Sequence, residues 1–362
     1  MRIGTVKEIK TLEFRVGLTP EGVRELVHHG HSVFVESGAG FGIGLSDSQY
    51  EQVGAKVLAD AKAVFDASDL IVKVKEPQPF EIARLRPRHT LFTYLHLAAD
   101  PQQACGLMKS GATAIAYETI TDAKGALPLL APMSQVAGRM AAMIGAQYML
   151  KPHNGRGLLI SGVPGVPPAK VGILGAGVAG MHAAEIAHGM RADVTMFDIA
   201  AERLAAVDAA FGGAVKGVHS SHKAIQDFIP EVDLVIGCVL VAGATAPKLI
   251  TRADLKRMKP GTVLVDVAID QGGCFETSHP TTHDKPTFVV DGIIHYCVAN
   301  MPGAAPLTST YALTAVTLPY VLKMADLGVE TALRTDPYLA AGLNVAAGKI
   351  MHPAVQAAIE AA

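Results

Sequence analysis

Short apolar runs alternate with amphipathic segments along most of the chain, and they predict strands and helices in turn. Thr19-Pro20 marks one helix start, as N-cap and first helical residue, and Asp100-Pro101 marks another. Strands that alternate with helices predict βαβ units and a parallel sheet. The predicted strands of this first series lie at 1–6, 32–36, 70–75, 90–96 and 113–117.

A second series follows a predicted long helix at 134–150. A loop rich in glycine and proline leads from that helix into the apolar run Val171 to Leu174. The chain end, 308–362, is predicted to be helical. The two series together predict an α/β fold with two Rossmann-like domains on parallel sheets. Further predicted strands of the second series lie at 192–198, 232–239, 262–268 and 287–290.

A glycine-rich turn separates the apolar run at 171–174 from a predicted helix. Gly175, Gly177 and Gly180 have the spacing of the dinucleotide fingerprint, and strand, turn and helix occur in the order that the fingerprint requires. Gly175 allows the tight turn, Gly177 lets the backbone approach a pyrophosphate, and Gly180 lets helix and strand pack closely. The N–H groups at the helix start would face the phosphates. The second domain therefore carries the predicted nucleotide site.

The next predicted strand ends in Asp198, which bears on the choice of cofactor. A carboxylate about 20 residues beyond the fingerprint accepts hydrogen bonds from both ribose hydroxyls of NAD. The same charge would repel the 2′-phosphate of NADP, although Arg203 is a nearby cation. The sequence therefore favours NAD. The alternative is that Asp198 only caps the following helix.

Composition excludes several classes of protein. The net charge is −2, which gives no indication of nucleic-acid binding. No apolar run reaches the roughly 18 residues of a membrane span, and Lys7, Glu8 and Lys10 interrupt any signal-peptide pattern. The four cysteines are far apart and form no CxxC pair, which is typical of free thiols in a reducing cytoplasm. We expect a cytoplasmic enzyme with no metal site.

Polar residues that follow the predicted strands are the candidates for chemistry. Lys73 and Lys75 alternate with Val72 and Val74 in the predicted strand at 70–75, so they should share one face of it. Tyr94 and His96 should likewise share one face of the strand at 90–96, and Arg15 precedes the first helix. A cation that polarises a carbonyl, beside a histidine that moves a proton, suits reduction of a keto or imino acid. Asp270 follows the strand at 262–268, although it could equally be a turn residue before two glycines.

Six segments, taken in order, resemble the alanine dehydrogenase family over essentially the whole chain. Their joint occurrence is more specific than any one motif. The segments are Arg15-Val-Gly-Leu-Thr-Pro20, Val72-Lys-Val-Lys-Glu-Pro77, Leu91-Phe-Thr-Tyr-Leu-His96, Pro132-Met-Ser-Gln-Val-Ala-Gly-Arg139, Asp266-Val-Ala-Ile-Asp-Gln-Gly-Gly-Cys274 and His295-Tyr-Cys-Val-Ala-Asn-Met-Pro302.

The resemblance implies a role for each candidate. Arg15 and Lys75 would hold the substrate carboxylate and carbonyl, and His96 would be the proton donor and acceptor. Asp270 would assist at the reacting carbon and touch the nicotinamide side of the cofactor. The other positions at which the family contacts NAD are Ser134, Val178, Ala179, Asp198, Arg203, Ser220, Val239, Leu240, Val267, Val298 and Met301.

The resemblance also implies an activity, a domain organisation and an assembly. The activity is the NAD-dependent, reversible oxidative deamination of L-alanine to pyruvate and ammonium. Residues 1–130 plus 308–362 would form a discontinuous substrate domain, and residues 131–307 would form the NAD-binding Rossmann domain. Family members form hexamers, so we expect a homohexamer without a nucleic-acid or membrane partner.

Some residues depart from the family pattern, and two other functions stay open. His279 stands where the family has arginine, which weakens the expectation of a cationic cofactor contact there, and Leu307 and Ala315-Val316 also differ. One alternative is the soluble NAD(H)-binding component of a proton-translocating transhydrogenase. Another is a dehydrogenase for a different small amino acid, such as the glycine/glyoxylate pair. The joint presence of Arg15, Lys75 and His96 disfavours the transhydrogenase component, which needs no small substrate.

Overall fold

The computed structural model describes residues 1–239 and 246–360. The described residues form fifteen strands, at Arg2–Thr5 (β1), Ser32–Glu36 (β2), Lys56–Leu58 (β3), Leu70–Val72 (β4), Thr90–Thr93 (β5), Thr113–Ala116 (β6), Lys170–Leu174 (β7), Asp193–Asp198 (β8), Lys216–His219 (β9), Leu234–Gly237 (β10), Val263–Asp266 (β11), Thr287–Val290 (β12), Ile293–Tyr296 (β13), Leu343–Ala346 (β14) and Lys349–Ile350 (β15).

Helices alternate with most of these strands. The described residues form fourteen α-helices, at Pro20–His28 (α1), Asp47–Gln52 (α2), Ala61–Ala67 (α3), Pro79–Ile82 (α4), Pro101–Ser110 (α5), Ala131–Tyr148 (α6), Val178–Gly189 (α7), Ala201–Phe211 (α8), His222–Phe228 (α9), Arg252–Leu255 (α10), Pro306–Leu327 (α11), Val329–Thr335 (α12), Pro337–Ala340 (α13) and Pro353–Glu360 (α14).

The first compact unit comprises Met1–Met133 and Ala305–Ala362. Its eight-stranded sheet has the order β15-β14-β6-β5-β4-β1-β2-β3, and the six strands from β6 to β3 run parallel. Strand β4 is buried at each of its residues, as expected of a central parallel strand covered on both faces. The carboxyl ends of the parallel strands therefore meet at one edge, which is where such sheets bind ligands.

The start of α1 has the predicted cap. Thr19 is the N-cap, its Oγ1 accepts a hydrogen bond from the N–H of Gly22 at 3.4 Å, and Pro20 opens the helix. Val23 and Leu26 then project from one face into the core of the first unit. Cap and apolar face act together, because the cap fixes where the helix begins and so which residues face the sheet.

The prediction of a wholly helical chain end is wrong at 343–350. Strand β14 pairs antiparallel with β6, and β15 extends the same sheet by pairing with β14. Helices α11 to α14 flank these strands. Strand β14 has only four residues and depends on a partner more than 200 residues earlier, so its local sequence gives a weak signal.

The second compact unit, Ser134–Ala304, is built on a seven-stranded sheet. The strand order is β12-β13-β11-β10-β7-β8-β9, parallel except for the edge strand β12. The chain proceeds outward from β7 to β8 and β9, then returns to β10 on the other side of β7. That change of direction creates a topological switch point at β7. The predicted α/β class with two largely parallel sheets is confirmed.

No single helix within residues 1–239 and 246–360 is long and apolar enough to cross a bilayer. Helices Pro306–Leu327 and Val329–Thr335, which are bent by 114° at their junction, pass that test of length and composition only as a pair.

His89 gives the fold a predicted dependence on pH. Its Nδ1 accepts a hydrogen bond from the N–H of Arg86 at 3.0 Å, so Nε2 carries the proton and donates to the carbonyl of Phe65 at 2.9 Å. The side chain is 1% exposed, and burial, together with the charge of Arg88, lowers the pKa of His89. Only the neutral tautomer satisfies both partners.

The imidazole of His89 therefore binds a proton less readily in the folded protein than in the unfolded chain. As pH falls below about 6.5, the ordinary histidine value, the free energy of unfolding should decrease by about 1.4 kcal/mol per unit of pKa difference. Urea denaturation at a series of pH values measures the slope of the free energy of unfolding against pH. The His89→Gln variant should show a smaller slope, whereas His28→Gln, at an exposed position, should keep the wild-type one. Equal slopes in both variants would contradict the role of His89.

Candidate active site

Three of the predicted site residues follow neighbouring strands of the first sheet. Arg15 lies in the connection after β1, Lys75 follows β4, and His96 follows β5. Strands β1, β4 and β5 are adjacent and parallel, so the chain leaves all three at the same edge. The hydroxyl of Thr93 donates to the carbonyl of Lys75 at 2.9 Å and ties two of these ends together. The fold brings these residues to one sheet edge.

The guanidinium of Arg15 is buried and held by Glu13. Nε and Nη2 donate to the two carboxylate oxygens of Glu13 at 2.7 and 2.6 Å, and Nη1 lies 3.0 Å from the Sδ of Met133. Burial alone would lower the pKa of Arg15, but Glu13 outweighs that effect and raises it. In this structure the bidentate fork expected for a substrate carboxylate is thus engaged by Glu13, a residue that belongs to none of the predicted site motifs.

The two lysines of the Val72-Lys-Val-Lys segment have different environments. The sequence predicts that they share one face of a strand, but β4 ends at Val72. Lys73 is fully buried, and its Nζ lies 3.1 Å from Glu8 and 2.8 Å from Glu81. Burial would lower the pKa of Lys73, but the two carboxylates raise it, so this lysine is a structural cation.

Lys75 lies at the margin of the site, with 10% of its side chain exposed. Its Nζ is 3.8 Å from the Oε2 of Glu76, which is itself buried and has no hydrogen-bond partner among the described residues. Burial would raise the pKa of Glu76, but Lys75 and Lys10 hold it below its ordinary value. The backbone of Lys75 is fixed from behind, because its N–H donates to Glu8 at 3.3 Å.

His96 occupies a strained backbone conformation next to Glu118. Its φ of 51° and ψ of 35° lie in the left-handed region, which is uncommon for residues other than glycine and costs free energy unless the surroundings hold it. Glu118 imposes it, since Oε1 accepts the N–H of His96 at 2.6 Å and lies 3.9 Å from its Nδ1. The imidazole stacks on Tyr94, with ring centroids 5.9 Å apart, and 44% of its side chain is exposed. It is both oriented and accessible.

The glycine-rich turn after β7 has the shape that a pyrophosphate requires. Gly175 has a φ of 98°, and a Cβ at Gly180 would lie 1.8 Å from the carbonyl oxygen of Gly175, so helix and strand pack as the fingerprint predicts. Gly177 is the N-cap of α7 and has open space where a Cβ would lie. The space beside Gly177 therefore lets a phosphate approach the N–H groups at the start of α7, a twelve-residue helix. The turn fits a dinucleotide.

Asp198 ends β8 beside this turn and is 5% exposed. Its Oδ2 accepts the N–H of Ala176 at 2.7 Å, and its Oδ1 accepts the N–H of Ala200 at 2.8 Å. Arg203 Nη1 lies 3.4 Å from Oδ2. Oδ1 keeps a further lone pair for a ribose hydroxyl, whereas Oδ2 already accepts from both Ala176 and Arg203. Asp198 does not act as the N-cap of α8, because that position belongs to Ala200.

The remaining predicted nucleotide contacts lie mostly at the carboxyl edge of the second sheet. Ser134 lies in α6, and Val178 and Ala179 open α7. Leu240 lies outside the described residues. Val298 and Met301 are buried, so only their backbone atoms or the edges of their side chains could meet a ligand. Ser220 follows the carboxyl end of β9, Val239 follows β10, and Val267 follows β11. Val298 and Met301 both follow β13.

Asp270 lies in a 3₁₀ turn, Ile269–Gln271, beyond the end of β11. Its side chain is exposed, whereas Ile269 beside it is buried. Strand β11 itself ends at Asp266, which is fully buried and accepts hydrogen bonds from Ala268, Cys274 and Ser278. Asp266 carries a sequence signal of its own, a carboxylate at a strand end, although the sequence-based prediction names only Asp270.

His279 stacks on a neighbouring aromatic ring. Its ring centroid lies 3.6 Å from that of Phe288, and Phe288 stacks in turn on the buried His295 at 4.9 Å. The departure from arginine therefore coincides with an aromatic packing role. In the part of the chain that the structure describes, no group of three or more His, Cys, Asp or Glu side chains could hold a metal ion.

Comparison with known proteins identifies the family. Residues 4–137 match the N-terminal domain of alanine dehydrogenase/PNT, and residues 141–353 match its C-terminal domain. An alanine dehydrogenase of Halomonas elongata is 57% identical over 355 residues, which are 98% of this chain and 96% of that protein. A solved L-alanine dehydrogenase has a TM-score of 0.96 and 50% identity, covering 100% of this chain and 99% of that one. A transhydrogenase of Sinorhizobium meliloti has a TM-score of 0.83 and 26% identity, covering 98% and 100%. The chain belongs to the alanine dehydrogenase/PNT family.

Proposed function

We propose that this protein is an NAD-dependent oxidoreductase that converts L-alanine and water reversibly into pyruvate and ammonium. One observation carries the proposal: the same chain holds Arg15, Lys75 and His96 at one edge of its first sheet and a dinucleotide turn at the carboxyl edge of its second. A protein that only presents NAD(H) to a partner binds no small substrate and does not need Arg15, Lys75 and His96 at that edge. The 57% identity to the Halomonas elongata alanine dehydrogenase supports the same reaction.

We assign the substrate domain to residues 1–130 plus 308–362 and the NAD-binding domain to residues 131–307. The bounds of the two compact units, which fall within a few residues of these, support the division. The pairing of β14 with β6 supports the return of the chain end to the substrate domain.

In the proposed substrate site, Arg15 and Lys75 hold the carboxylate and the carbonyl oxygen of pyruvate. Glu13 fixes the plane of the guanidinium through Nε and Nη2, which directs Nη1 toward Met133. A thioether is a weak acceptor, and a carboxylate is a much stronger partner for a charged donor. Pyruvate can therefore replace the Met133 contact while the Glu13 pair stays intact.

His96 moves the protons. In the reductive direction ammonia adds to C2 of pyruvate, and the C2 hydroxyl leaves as water after His96 gives it a proton. In the oxidative direction His96 removes a proton from the attacking water. Glu118 holds the backbone of His96 at 2.6 Å, and Tyr94 supports one face of the ring, so the imidazole needs little reorganisation.

The second unit supplies the cofactor site. The residues of this unit would hold NAD, which when bound would supply the acceptor for the hydride from the substrate Cα and, in its reduced form, the donor for the reverse reaction. Gly175 and Gly180 shape the turn and Gly177 leaves the backbone N–H groups open to the pyrophosphate, while Asp198 binds the adenosine ribose. Asp270 assists at the reacting carbon and touches the nicotinamide side. The other residues that we propose to contact NAD are Ser134, Val178, Ala179, Arg203, Ser220, Val239, Leu240, Val267, Val298 and Met301.

Replacing Asp198 tests the ribose assignment. Asp198→Ala should weaken NADH binding by about tenfold or more, since it removes hydrogen bonds to a charged acceptor, each worth about 1.5–3 kcal/mol. It should also narrow the preference for NADH over NADPH, because the repulsion of the 2′-phosphate is lost. Fluorescence titration with both cofactors measures this. Asp193→Ala, at the opposite end of β8, is the matched control and should bind NADH normally. A wild-type protein that uses NADPH as well as NADH would contradict the assignment.

We also propose that the enzyme is a homohexamer in the cytoplasm. The family resemblance supports the hexamer, and the four free cysteines support a reducing compartment. Size-exclusion chromatography with light scattering tests the assembly, and a stable monomer at working concentration would contradict it.

A second candidate function is favoured by the match to a transhydrogenase. It is the soluble NAD(H)-binding component of a proton-translocating transhydrogenase. Steady-state NADH oxidation by the purified chain separates the candidates, with pyruvate plus ammonium in one assay and glyoxylate plus ammonium in another. We expect a higher kcat/KM for pyruvate. A higher value for glyoxylate would favour a glycine/glyoxylate enzyme, and no oxidation in either assay would favour the transhydrogenase component.

A further inference from the structure

The carboxylate of Asp266 ties together both ends of the segment that carries Asp270. It accepts the N–H of Ala268 at 3.2 Å and the N–H of Cys274 at 2.9 Å. The hydroxyl of Ser278 donates to the same group at 2.5 Å. Asp266 itself has no exposed surface. The N–H groups of Ala268 and Cys274 make their shortest hydrogen bonds to different oxygens, so an ionised carboxylate accepts both, whereas an amide would turn its NH₂ group toward one of them.

The shape of the segment depends on this carboxylate. Gly272 and Gly273 both have positive φ values, 86° and 78°. A Cβ at Gly273 would lie 2.5 Å from the Oδ2 of Asp266, so only glycine lets the chain close over the carboxylate. Ile269, buried on the other side of Asp270, anchors the turn in the core. Asp270 is thus an exposed residue between two anchored points.

Residues 246–249 hold the same segment through hydrogen bonds on its other side. The Nζ of Lys248 donates to the carbonyl of Gly273 at 2.9 Å and also to that of Gly272. The N–H of Ala246 donates to the carbonyl of Gln271 at 3.0 Å, and the N–H of Leu249 donates to that of Cys274 at 2.8 Å. The segment is therefore fixed from inside by Asp266 and from outside by Lys248.

We propose that Asp266 is a positioning residue for Asp270, and that Lys248 supports it from the outer face. The proposal rests on the proposed function, in which Asp270 acts at the reacting carbon. Asp266 is buried and does not touch the substrate, so its effect on turnover passes through the position of Asp270. A displacement of about 1 Å at a reacting group can cost about 100-fold in rate.

A double-mutant cycle tests the proposal, with turnover of pyruvate, ammonium and NADH as the readout. We expect Asp266→Asn to lower kcat about 10- to 100-fold, the range that misplacement allows. In the Asp270→Asn background the same change should cost nothing further. The proposal is overturned if Asp266→Asn has wild-type kcat. It is also overturned if Asp266→Asn lowers kcat by the same factor in the Asp270→Asn background as in the wild type.

A second variant, Lys248→Gln, tests the proposal even if Asp266→Asn does not fold. Lys248 is exposed, so Lys248→Gln leaves the core intact. It should lower kcat in the wild-type background but not in Asp270→Asn, and Lys248→Arg, which can still donate to both carbonyls, should restore the rate. An effect of Lys248→Gln that persists in Asp270→Asn would overturn the proposal. Wild-type kcat in Asp270→Asn would instead remove Asp270 from the proposed function, and an inactive wild type would contradict that function as a whole.

Discussion

The Lys75→Ala variant is expected to show no measurable turnover of pyruvate, ammonium and NADH. Lys75 is the cation that we assign to the carbonyl oxygen, and the neighbouring lysine cannot replace it, because Lys73 is buried between Glu8 and Glu81. Removing Lys75 also takes away one of the two cations that neutralise Glu76 and leaves only Lys10, so negative charge at the buried Oε2 would oppose charge on the substrate. Both effects act against the reaction.

NADH binding separates loss of catalysis from loss of fold. The residues that we assign to the nucleotide lie in the second unit, so Lys75→Ala should bind NADH as the wild type does. Lys62→Ala, which removes an exposed lysine paired with Asp66, is the matched control and should keep wild-type turnover. Turnover by Lys75→Ala within about tenfold of wild type, a cost of only about 1.4 kcal/mol, would exclude Lys75 from the proposed role.

The His96→Ala variant should lose about 10²- to 10⁴-fold in kcat, the usual contribution of a general acid–base group. The expected loss is smaller than for Lys75 because water can reach the exposed position and move protons slowly. His28→Ala, which removes another exposed histidine of the same unit, is the control. Stopped-flow fluorescence should show near-normal NADH binding in both variants. If His96→Ala turned over at the wild-type rate, the proton transfer would have to be assigned to another group.

The fold class and the nucleotide turn could be predicted because their signals are local. A buried parallel strand is a short apolar run, and the spacing of Gly175, Gly177 and Gly180 follows from the steric needs of one turn. The structure explains Gly175 by its positive φ angle and Gly180 by a close approach, both within a few residues, and it shows open space at Gly177. Signals of this kind need no knowledge of the rest of the chain.

The alternation rule failed where the strand ended early. It treated Lys73 and Lys75 as equivalent, but β4 ends at Val72, and the positions of Glu8 and Glu81 decide which lysine is buried. Those carboxylates come from two other segments of the chain. The environments of charged residues therefore depend on contacts that a periodic pattern does not contain.

The partners of the proposed catalytic groups were also beyond local reasoning. Glu13 is two residues from Arg15, yet nothing in the sequence shows that its carboxylate engages the guanidinium fork. Glu118 lies 22 residues from His96 and meets it only because β5 and β6 are adjacent. The return of the chain through β14 has the same cause, since strand pairing over long separations leaves little trace in a four-residue run.

The most direct test of the account is product analysis of the purified protein with NADH, pyruvate and ¹⁵N-ammonium, with no other protein added. The account predicts that NADH is consumed one-for-one with formation of ¹⁵N-labelled L-alanine, and that omitting either pyruvate or ammonium stops the reaction. NADH oxidation that needs a second protein, or that yields no labelled L-alanine, would contradict it.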